Sequence, residues 1–158
     1  LIIIKRIKKE PAIIPSLDTK YKFLALTGII LMIIQTVIGS QVRQQTDILL
    51  EAEISRNILS QSYDYIFYFH RSFSILIVGI VLFLSYKLWE IKKLNYRLKL
   101  LLVTVIFEVL AGMFLFYLGM KAYGQPIHLF LSLFLFGVFV SLFLRMNTSK
   151  SEKLIKKH

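Results

Sequence analysis

Residues 65–74 read Tyr-Ile-Phe-Tyr-Phe-His-Arg-Ser-Phe-Ser and open an apolar segment that continues to about residue 86. This stretch places His70, followed at once by Arg71, at the start of a hydrophobic helix. An ionisable side chain inside an apolar segment is costly and often marks a functional site. The only other histidine in an apolar segment is His128, since His158 lies in the polar tail, so His70 and His128 are the first candidate site residues.

Apolar residues occur in long blocks on both sides of this stretch and make up 56% of the 158 residues. Blocks of about 20 apolar residues are typical of membrane-spanning helices. We predict four spans, at about residues 23–42, 66–86, 100–118 and 127–144, within one transmembrane domain over residues 21–145. The expected fold class is an all-α integral membrane protein, an antiparallel up-down-up-down four-helix transmembrane bundle.

The net charge of +11 comes largely from basic residues that flank the apolar blocks. This distribution follows the positive-inside rule, so we expect no nucleic-acid partner. It predicts cytoplasmic termini, with basic tails at residues 1–20 and 146–158, in a multi-pass protein of a bacterial inner membrane. We also expect a short surface helix over residues 1–9 and another in the outer loop, at about residues 48–59.

The sequence excludes several kinds of chemistry. With no cysteine, the chain can form neither disulfides nor cysteine-ligated metal centres. We find no Walker or dinucleotide-binding glycine loop, no His-Glu-x-x-His motif and no plausible Ser-His-Asp set. Histidine, acidic and methionine side chains therefore remain as candidate ligands.

The two histidines are expected at one depth in the membrane. Each lies seventeen positions before the first basic residue at the inner end of its segment, Lys87 or Arg145. Both imidazoles should then lie about 25 Å from the inner face, near the outer edge of the hydrocarbon. The second and fourth spans run in the same direction and occupy diagonal corners of the bundle. This geometry suits two axial ligands of a haem iron; the alternative is that each histidine only hydrogen-bonds a carbonyl or water.

A haem carries two propionates, so cations are expected beside the histidines. Arg71 is the best candidate, because a guanidinium group binds carboxylates in a bidentate manner. Arg43, at the end of the first span, is a second candidate, and Lys121 also lies at the outer edge. The alternative is that these side chains extend to lipid head groups.

A weak internal repeat precedes each histidine segment. The first span contains Gln35-Thr-Val-Ile-Gly39 and the third contains Glu108-Val-Leu-Ala-Gly112. The spacing puts the polar residue and the glycine on one helix face, where glycine admits a neighbouring helix or a flat macrocycle. Glu108 could serve as a proton relay or cofactor contact, or simply hydrogen-bond across to Gln35 or Thr36.

These motifs, in this order, resemble one half of haem A synthase, the COX15/CtaA family, over about residues 23–144. Further matching segments are Phe67-Tyr-Phe-His70-Arg71 and Gln125-Pro126-Ile-His128. Members resemble two fused four-helix bundles, each with a histidine pair. The chain is more similar to the C-terminal half, because residues 44–47 read Gln-Gln-Thr-Asp where the N-terminal half has a glycine-rich loop with cysteines and a catalytic glutamate. Residues 1–20 would then be the linker between halves, and Leu1 a truncation point.

The resemblance implies that His70 and His128 are axial ligands of a b-type haem, which relays electrons while the other half oxidises haem O to haem A. The chain alone would lack the catalytic half, so its status as an enzyme is open. The partners implied are haem, the lipid bilayer, the missing N-terminal half or a second copy, and haem O synthase as a further candidate. Two alternatives remain: a stand-alone bis-histidine electron-transfer cytochrome and a cofactor-free membrane assembly factor.

Overall fold

The computed structural model describes residues 17–55, 58–118 and 123–155, and every regular element in them is an α-helix. The helices are α1 (Thr19–Glu51), α2 (Leu59–Ser62), α3 (Tyr65–Leu88), α4 (Asn95–Tyr117) and α5 (Gly124–Ile155). Helices α1, α3 and α4 and the first part of α5, Gly124–Asn147, are long and apolar enough to cross a membrane. The all-α class is confirmed, and the four long helices have the length and apolar character that the predicted spans require.

Helix α3 begins where the sequence supplies a cap. The Asp64 side chain accepts a hydrogen bond from the Ile66 main-chain nitrogen, at 3.0 Å, and so satisfies one of the free N–H groups of the first turn. This start places His70 in the second turn of α3. In α5, Pro126 lies in the first turn, where its missing N–H has no helical acceptor to lose.

The four long helices form a bundle in which neighbours in the chain also pack together. Helix α1 packs against α3 and α5, and α4 packs against the same two helices, so α3 and α5 stand at diagonal corners. Helices α4 and α5 run antiparallel, because Arg97 bonds Ser141 near one end while Gly112 approaches His128 near the other. The diagonal placement of the two histidine helices agrees with the sequence prediction.

Two apolar clusters hold the bundle together, and close side-chain packing stabilises such helices in lipid. The large cluster joins all four long helices: Ala25, Met32, Ile77, Val81, Leu84, Leu88, Leu94, Leu98, Leu101, Val105, Leu135, Val138, Phe139, Leu142 and Met146. The small cluster lies at the other end: Val42, Leu59, Tyr63, Phe67 and Leu115. We define the polar layer as six residues: Gln35, Gly39, His70, Glu108, Gly112 and His128. In α1, α3 and α4 these residues lie between the two clusters, and in α5 His128 precedes the large cluster.

Helix α1 is longer than predicted, because it continues from the expected end at residue 42 to Glu51. The added turns have their own stabilising contacts. Arg43 pairs with Asp47 at 3.1 Å one turn away. The Thr46 hydroxyl is buried and lies 2.8 Å from the Tyr63 hydroxyl. Hydropathy marks the part of the helix that suits hydrocarbon, whereas the helix itself extends into the polar loop.

The outer loop therefore differs from the prediction of a short helix at residues 48–59, which is wrong. Residues 48–51 belong to α1, and the short helix of this loop is α2, one turn long. Helix α1 ends where Glu53 adopts a left-handed conformation, with φ 60°, and the Ile54 nitrogen donates back to the Leu49 carbonyl. The chain then turns back and places Leu59 in the small cluster.

The other helix ends differ by smaller amounts from the predicted spans. Helix α4 begins at Asn95 rather than near residue 100, and α5 begins at Gly124 and continues to Ile155, past the predicted end at residue 144. The predicted surface helix over residues 1–9 and Lys121 lie outside the described residues. The division into tails and one transmembrane domain, the cytoplasmic termini and the face of the membrane that holds the histidines stay predictions.

Candidate functional site

His70 lies in a half-site formed by α1 and α3. The Gln35 side-chain nitrogen donates a hydrogen bond of 3.0 Å to the His70 main-chain carbonyl, and the same nitrogen lies 3.5 Å from His70 Nε2. Gly39, one turn further along α1, faces the ring, and a Cβ atom at this glycine would lie 3.1 Å from His70 Cε1. The His70 Nδ1 atom is buried without a hydrogen-bond partner.

His128 lies in a corresponding half-site formed by α4 and α5. Its Nδ1 atom is 3.4 Å from Glu108 Oε2, and the two side chains are only 26% and 16% exposed. The two atoms are near but are not aligned for a hydrogen bond. Gly112 faces this ring at a slightly greater distance, since a Cβ atom there would lie 3.5 Å from His128 Cε1.

The two half-sites use equivalent positions of the internal repeat. In each of them a polar residue and a glycine, four positions apart on one helix, contact the histidine of the next long helix. The sequence predicted that the two members share a face, and the contacts confirm it. The alternative partners considered for Glu108 are wrong: its near neighbour is His128, while the Thr36 hydroxyl donates to the Met32 carbonyl at 2.9 Å.

The polar layer holds an unusual share of unsatisfied polar atoms. Within the described residues, seven buried side-chain nitrogen or oxygen atoms lack a hydrogen-bond partner, and four of them belong to this layer: Gln35 Oε1, His70 Nδ1, Glu108 Oε2 and His128 Nδ1. Buried polar groups in native proteins are normally paired. Their concentration in one layer between apolar clusters indicates a place for a polar ligand.

The layer is unsuited to a metal ion bound by protein ligands alone. In the part of the chain that the structure describes, no group of three His, Asp or Glu side chains could hold one. Two histidines on diagonal helices suit a metal whose other ligands come from a macrocycle. Each glycine also leaves its histidine ring uncovered by a side chain on one side. The two histidines, with a glycine facing each ring, therefore fit a haem as residue types.

The two candidate propionate partners lie in different surroundings. Arg71 follows His70 on α3, is exposed, and its guanidinium carbon lies 5.6 Å from the centre of the Phe116 ring, an arrangement that holds the cation over the aromatic face. Arg43 is engaged by Asp47 and its side chain is 57% exposed. The role of both arginines stays a prediction, but only Arg71 is adjacent in sequence to a histidine of the layer.

Sequence reasoning missed two features of the site. Gln35 was considered only as a partner of Glu108, although its amide fixes the main chain at His70. Glu108 was not assigned to a histidine, although it approaches His128. The signal that could have found both was the repeat itself, because each repeat precedes one histidine helix and its polar residue approaches the histidine of that helix.

The fold and site together define a class: an all-helical bundle of four membrane-type helices with a duplicated polar–glycine–histidine arrangement in its interior. The family model of COX15-CtaA, described as cytochrome oxidase assembly protein, matches residues 2–140. The chain therefore belongs to the COX15/CtaA family, as its motifs predicted. Comparison with curated proteins found no match, and neither did comparison with solved structures. The family and the four apolar helices indicate a multi-pass membrane protein concerned with cytochrome oxidase assembly and haem A synthesis.

Proposed function

We propose that this chain is the haem-bearing half of a haem A synthase-like membrane oxidoreductase, and that His70 and His128 are the axial ligands of a b-type haem. The observation that carries the proposal is the pair of half-sites, in each of which a glycine faces a histidine ring on one of two diagonal helices. A bound haem supplies one-electron chemistry, because its iron alternates between the ferric and ferrous states. The chain would thus pass electrons for the oxidation of haem O to haem A.

The residues around each histidine have separate tasks in this proposal. Glu108 lies on the Nδ1 side of His128 and leaves Nε2 for the iron. A carboxylate that accepts a hydrogen bond from Nδ1 would fix the ring orientation and make the imidazole a stronger donor to the metal. Gln35 holds the main chain at His70 through its bond to the carbonyl. Gly39 and Gly112 keep side chains away from the two rings.

Arg71 is the proposed partner of a propionate. Its guanidinium group is exposed beside Phe116 and carries no ion pair to an acid among the side chains described, those of residues 17–55, 58–59, 61–118 and 123–147. A cation near the haem carboxylates would neutralise part of their charge at the edge of the bundle. Arg43 would serve as a second cation if a propionate displaced Asp47 from it.

The proposal assigns no catalytic residue to this chain. Substrate oxidation would take place in a second four-helix half that carries the catalytic glutamate, contributed by a separate segment or chain. Haem O synthase would deliver the substrate to that half. By the positive-inside rule, the histidine layer would lie near the outer face of a bacterial inner membrane.

An optical spectrum of the detergent-purified chain, first oxidised and then reduced with dithionite, tests the haem site. We expect sharp low-spin bands in both states and about one haem per chain, as two histidine ligands produce. His70→Ala and His128→Ala should each abolish the six-coordinate low-spin spectrum. His158→Ala, which removes a histidine from the polar tail, is the matched control and should leave the spectrum unchanged.

The outcomes separate the proposal from its alternatives. A spectrum without haem bands after expression with ample haem would leave a cofactor-free assembly factor. Haem bands that survive His70→Ala and His128→Ala would disprove the two-histidine site. To separate a relay half from a stand-alone cytochrome, haem A should be quantified in cells that express this chain with and without a family N-terminal half. If the chain is a relay half, haem A should form only in cells that contain both halves.

A further inference from the structure

A second polar feature lies at the end of the bundle opposite to the small cluster, between α4 and α5. An open groove of about 390 Å³ is lined by Arg97, Gly137, Val140, Ser141, Leu144 and Arg145. Ser141 is thirteen positions beyond His128 on α5, so the groove is about 20 Å from the histidine layer along the helix. It is therefore a separate site, and nothing in the proposed haem chemistry uses it.

Two arginines line this groove and favour an anionic ligand. Arg97 donates a hydrogen bond of 3.0 Å from Nε to the Ser141 hydroxyl, which fixes the guanidinium group at the groove wall. Arg145 lines the same groove from α5. Both side chains are partly buried, and neither pairs with an acid among residues 17–55, 58–59, 61–118 and 123–147, whose side chains the structure describes. Two partly buried cations without a counter-charge repel each other, and a shared anion removes this cost.

The rest of the groove is apolar and faces outward from the bundle. Val140 and Leu144 line it beside the arginines. Gly137 is exposed, and a Cβ atom there would have no heavy atom within 4 Å, so the helix backbone itself forms an open floor. An acyl chain can lie against such a surface, because lipid tails are as apolar as the side chains that line it. A small hydrophilic anion would gain nothing from this apolar part.

We propose that this groove binds an anionic phospholipid, with its phosphate held by Arg97 and Arg145 and an acyl chain along Gly137, Val140 and Leu144. Basic pockets between membrane helices on the cytoplasmic side are typical sites for anionic lipid head groups. The predicted orientation places this end of the bundle at the cytoplasmic leaflet. The groove is open at its side, so a lipid can enter from the bilayer without a change in the helix packing.

Native mass spectrometry of the full chain in an uncharged detergent tests the proposal, with dioleoylphosphatidylglycerol as the probe. Dioleoylphosphatidylcholine has the same acyl chains and a neutral head group, and we expect it to be retained much less. The double variant Arg97→Gln/Arg145→Gln should weaken phosphatidylglycerol binding about tenfold or more, because two charge-assisted contacts are lost. Lys87→Gln/Lys92→Gln removes the same charge from exposed positions near this end and should change binding less than about twofold.

A third variant tests the groove itself while it keeps both arginines. Gly137→Leu places a side chain in the open floor without a clash at Cβ and should also lower phosphatidylglycerol retention. Unchanged haem content and helical circular dichroism would show that each variant folds. Equal losses in the arginine and lysine variants would mean diffuse attraction to the basic end and would overturn the proposal. Displacement of the lipid by an equimolar amount of inorganic phosphate would also overturn it, because the ligand would then be a small anion.

Discussion

Replacement of Gly39 by alanine should weaken haem binding, because the added methyl group would meet the ring of His70. A Cβ atom at Gly39 would lie 3.1 Å from Cε1, 3.6 Å from Nδ1 and 3.9 Å from Nε2 of this imidazole. Optimal contacts between carbon atoms are about 3.5–4.0 Å. The ring would therefore have to move by a few tenths of an ångström. A free imidazole can do so, but one bonded to iron is held by the metal.

The size of the effect follows from the strain on the histidine. Rotation of a side chain away from its preferred rotamer costs about 0.5–1.5 kcal/mol. This cost corresponds to about two- to twelvefold weaker haem binding. The same substitution favours the helix, since alanine is better than glycine in a helix interior by about 0.5–1 kcal/mol. The haem-free variant should therefore unfold at no lower temperature than the parent protein, and weaker haem binding cannot be attributed to a loss of fold.

The assay is a haem titration of the haem-free protein, followed by low-spin absorbance and by the ratio of haem to protein after gel filtration. Gly112→Ala is the matched control, because a Cβ atom there would lie at an ordinary distance of 3.5 Å from His128 Cε1. We expect little change in this second variant. If both substitutions weaken haem binding equally, or if Gly39→Ala has no effect, the close approach of Gly39 to His70 is not what shapes the site.

Three further substitutions test other parts of the molecule. Glu108→Gln should raise the haem reduction potential in a redox titration, by on the order of tens of millivolts, because a neutral amide beside His128 makes the imidazole a weaker donor to ferric iron. Arg71→Leu should lower the same potential, because a positive charge near the haem is lost. Tyr63→Phe should lower the free energy of unfolding by about 1 kcal/mol in thermal melts. The Thr46 hydroxyl donates to a main-chain carbonyl, so the Tyr63 hydroxyl donates the bond of 2.8 Å between these buried groups.

Each of these substitutions has a control. Arg71→Lys keeps the positive charge and should leave the haem reduction potential close to that of the parent protein. An equal fall in Arg71→Leu and Arg71→Lys would contradict the electrostatic role. Tyr65→Phe removes a hydroxyl from a side chain that is 77% exposed and should leave the melting temperature unchanged. The control for Glu108→Gln is Gln35→Glu, which adds a carboxylate to the opposite half-site and should lower the haem reduction potential. A potential that is the same with and without a carboxylate at either position would refute the proposed tuning.

Much of the fold could be predicted because the bilayer imposes a simple rule on the sequence. A span needs about 20 apolar residues, and four such blocks are visible. The prediction failed where the helix leaves the hydrocarbon. Residues 43–47 are polar, yet they continue α1, because the Arg43–Asp47 pair and the buried Thr46 stabilise the added turns. The burial of Thr46 depends on Tyr63, seventeen residues further along the chain, so hydropathy cannot reveal this contact.

The two candidate histidines could be chosen from the sequence, but the residues around them could not. The depth of His70 and His128 followed from helical geometry and from the basic residues at the inner ends. The partner of each histidine depends on how the helices are rotated about their axes, and an apolar sequence specifies this rotation weakly. A rotation of α4 about its axis by the angle of one residue would move Glu108 between an interior and a lipid-facing position. The packing of α4 against α5, which brings Glu108 to His128, resolves the choice.

The composition of the polar layer argues that binding, rather than stability, is the reason for these residues. Each buried polar atom without a partner costs about 1–3 kcal/mol, and four such atoms share this layer. Apolar side chains at the same positions would join the two clusters into one continuous core, and replacement of buried polar groups by well-packed apolar ones is often stabilising. The repeat instead places a polar residue and a glycine beside each histidine. A chain that only had to assemble four helices would gain little from buried polar atoms without partners, whereas a chain that binds a flat metal macrocycle would use both the polar residue and the glycine.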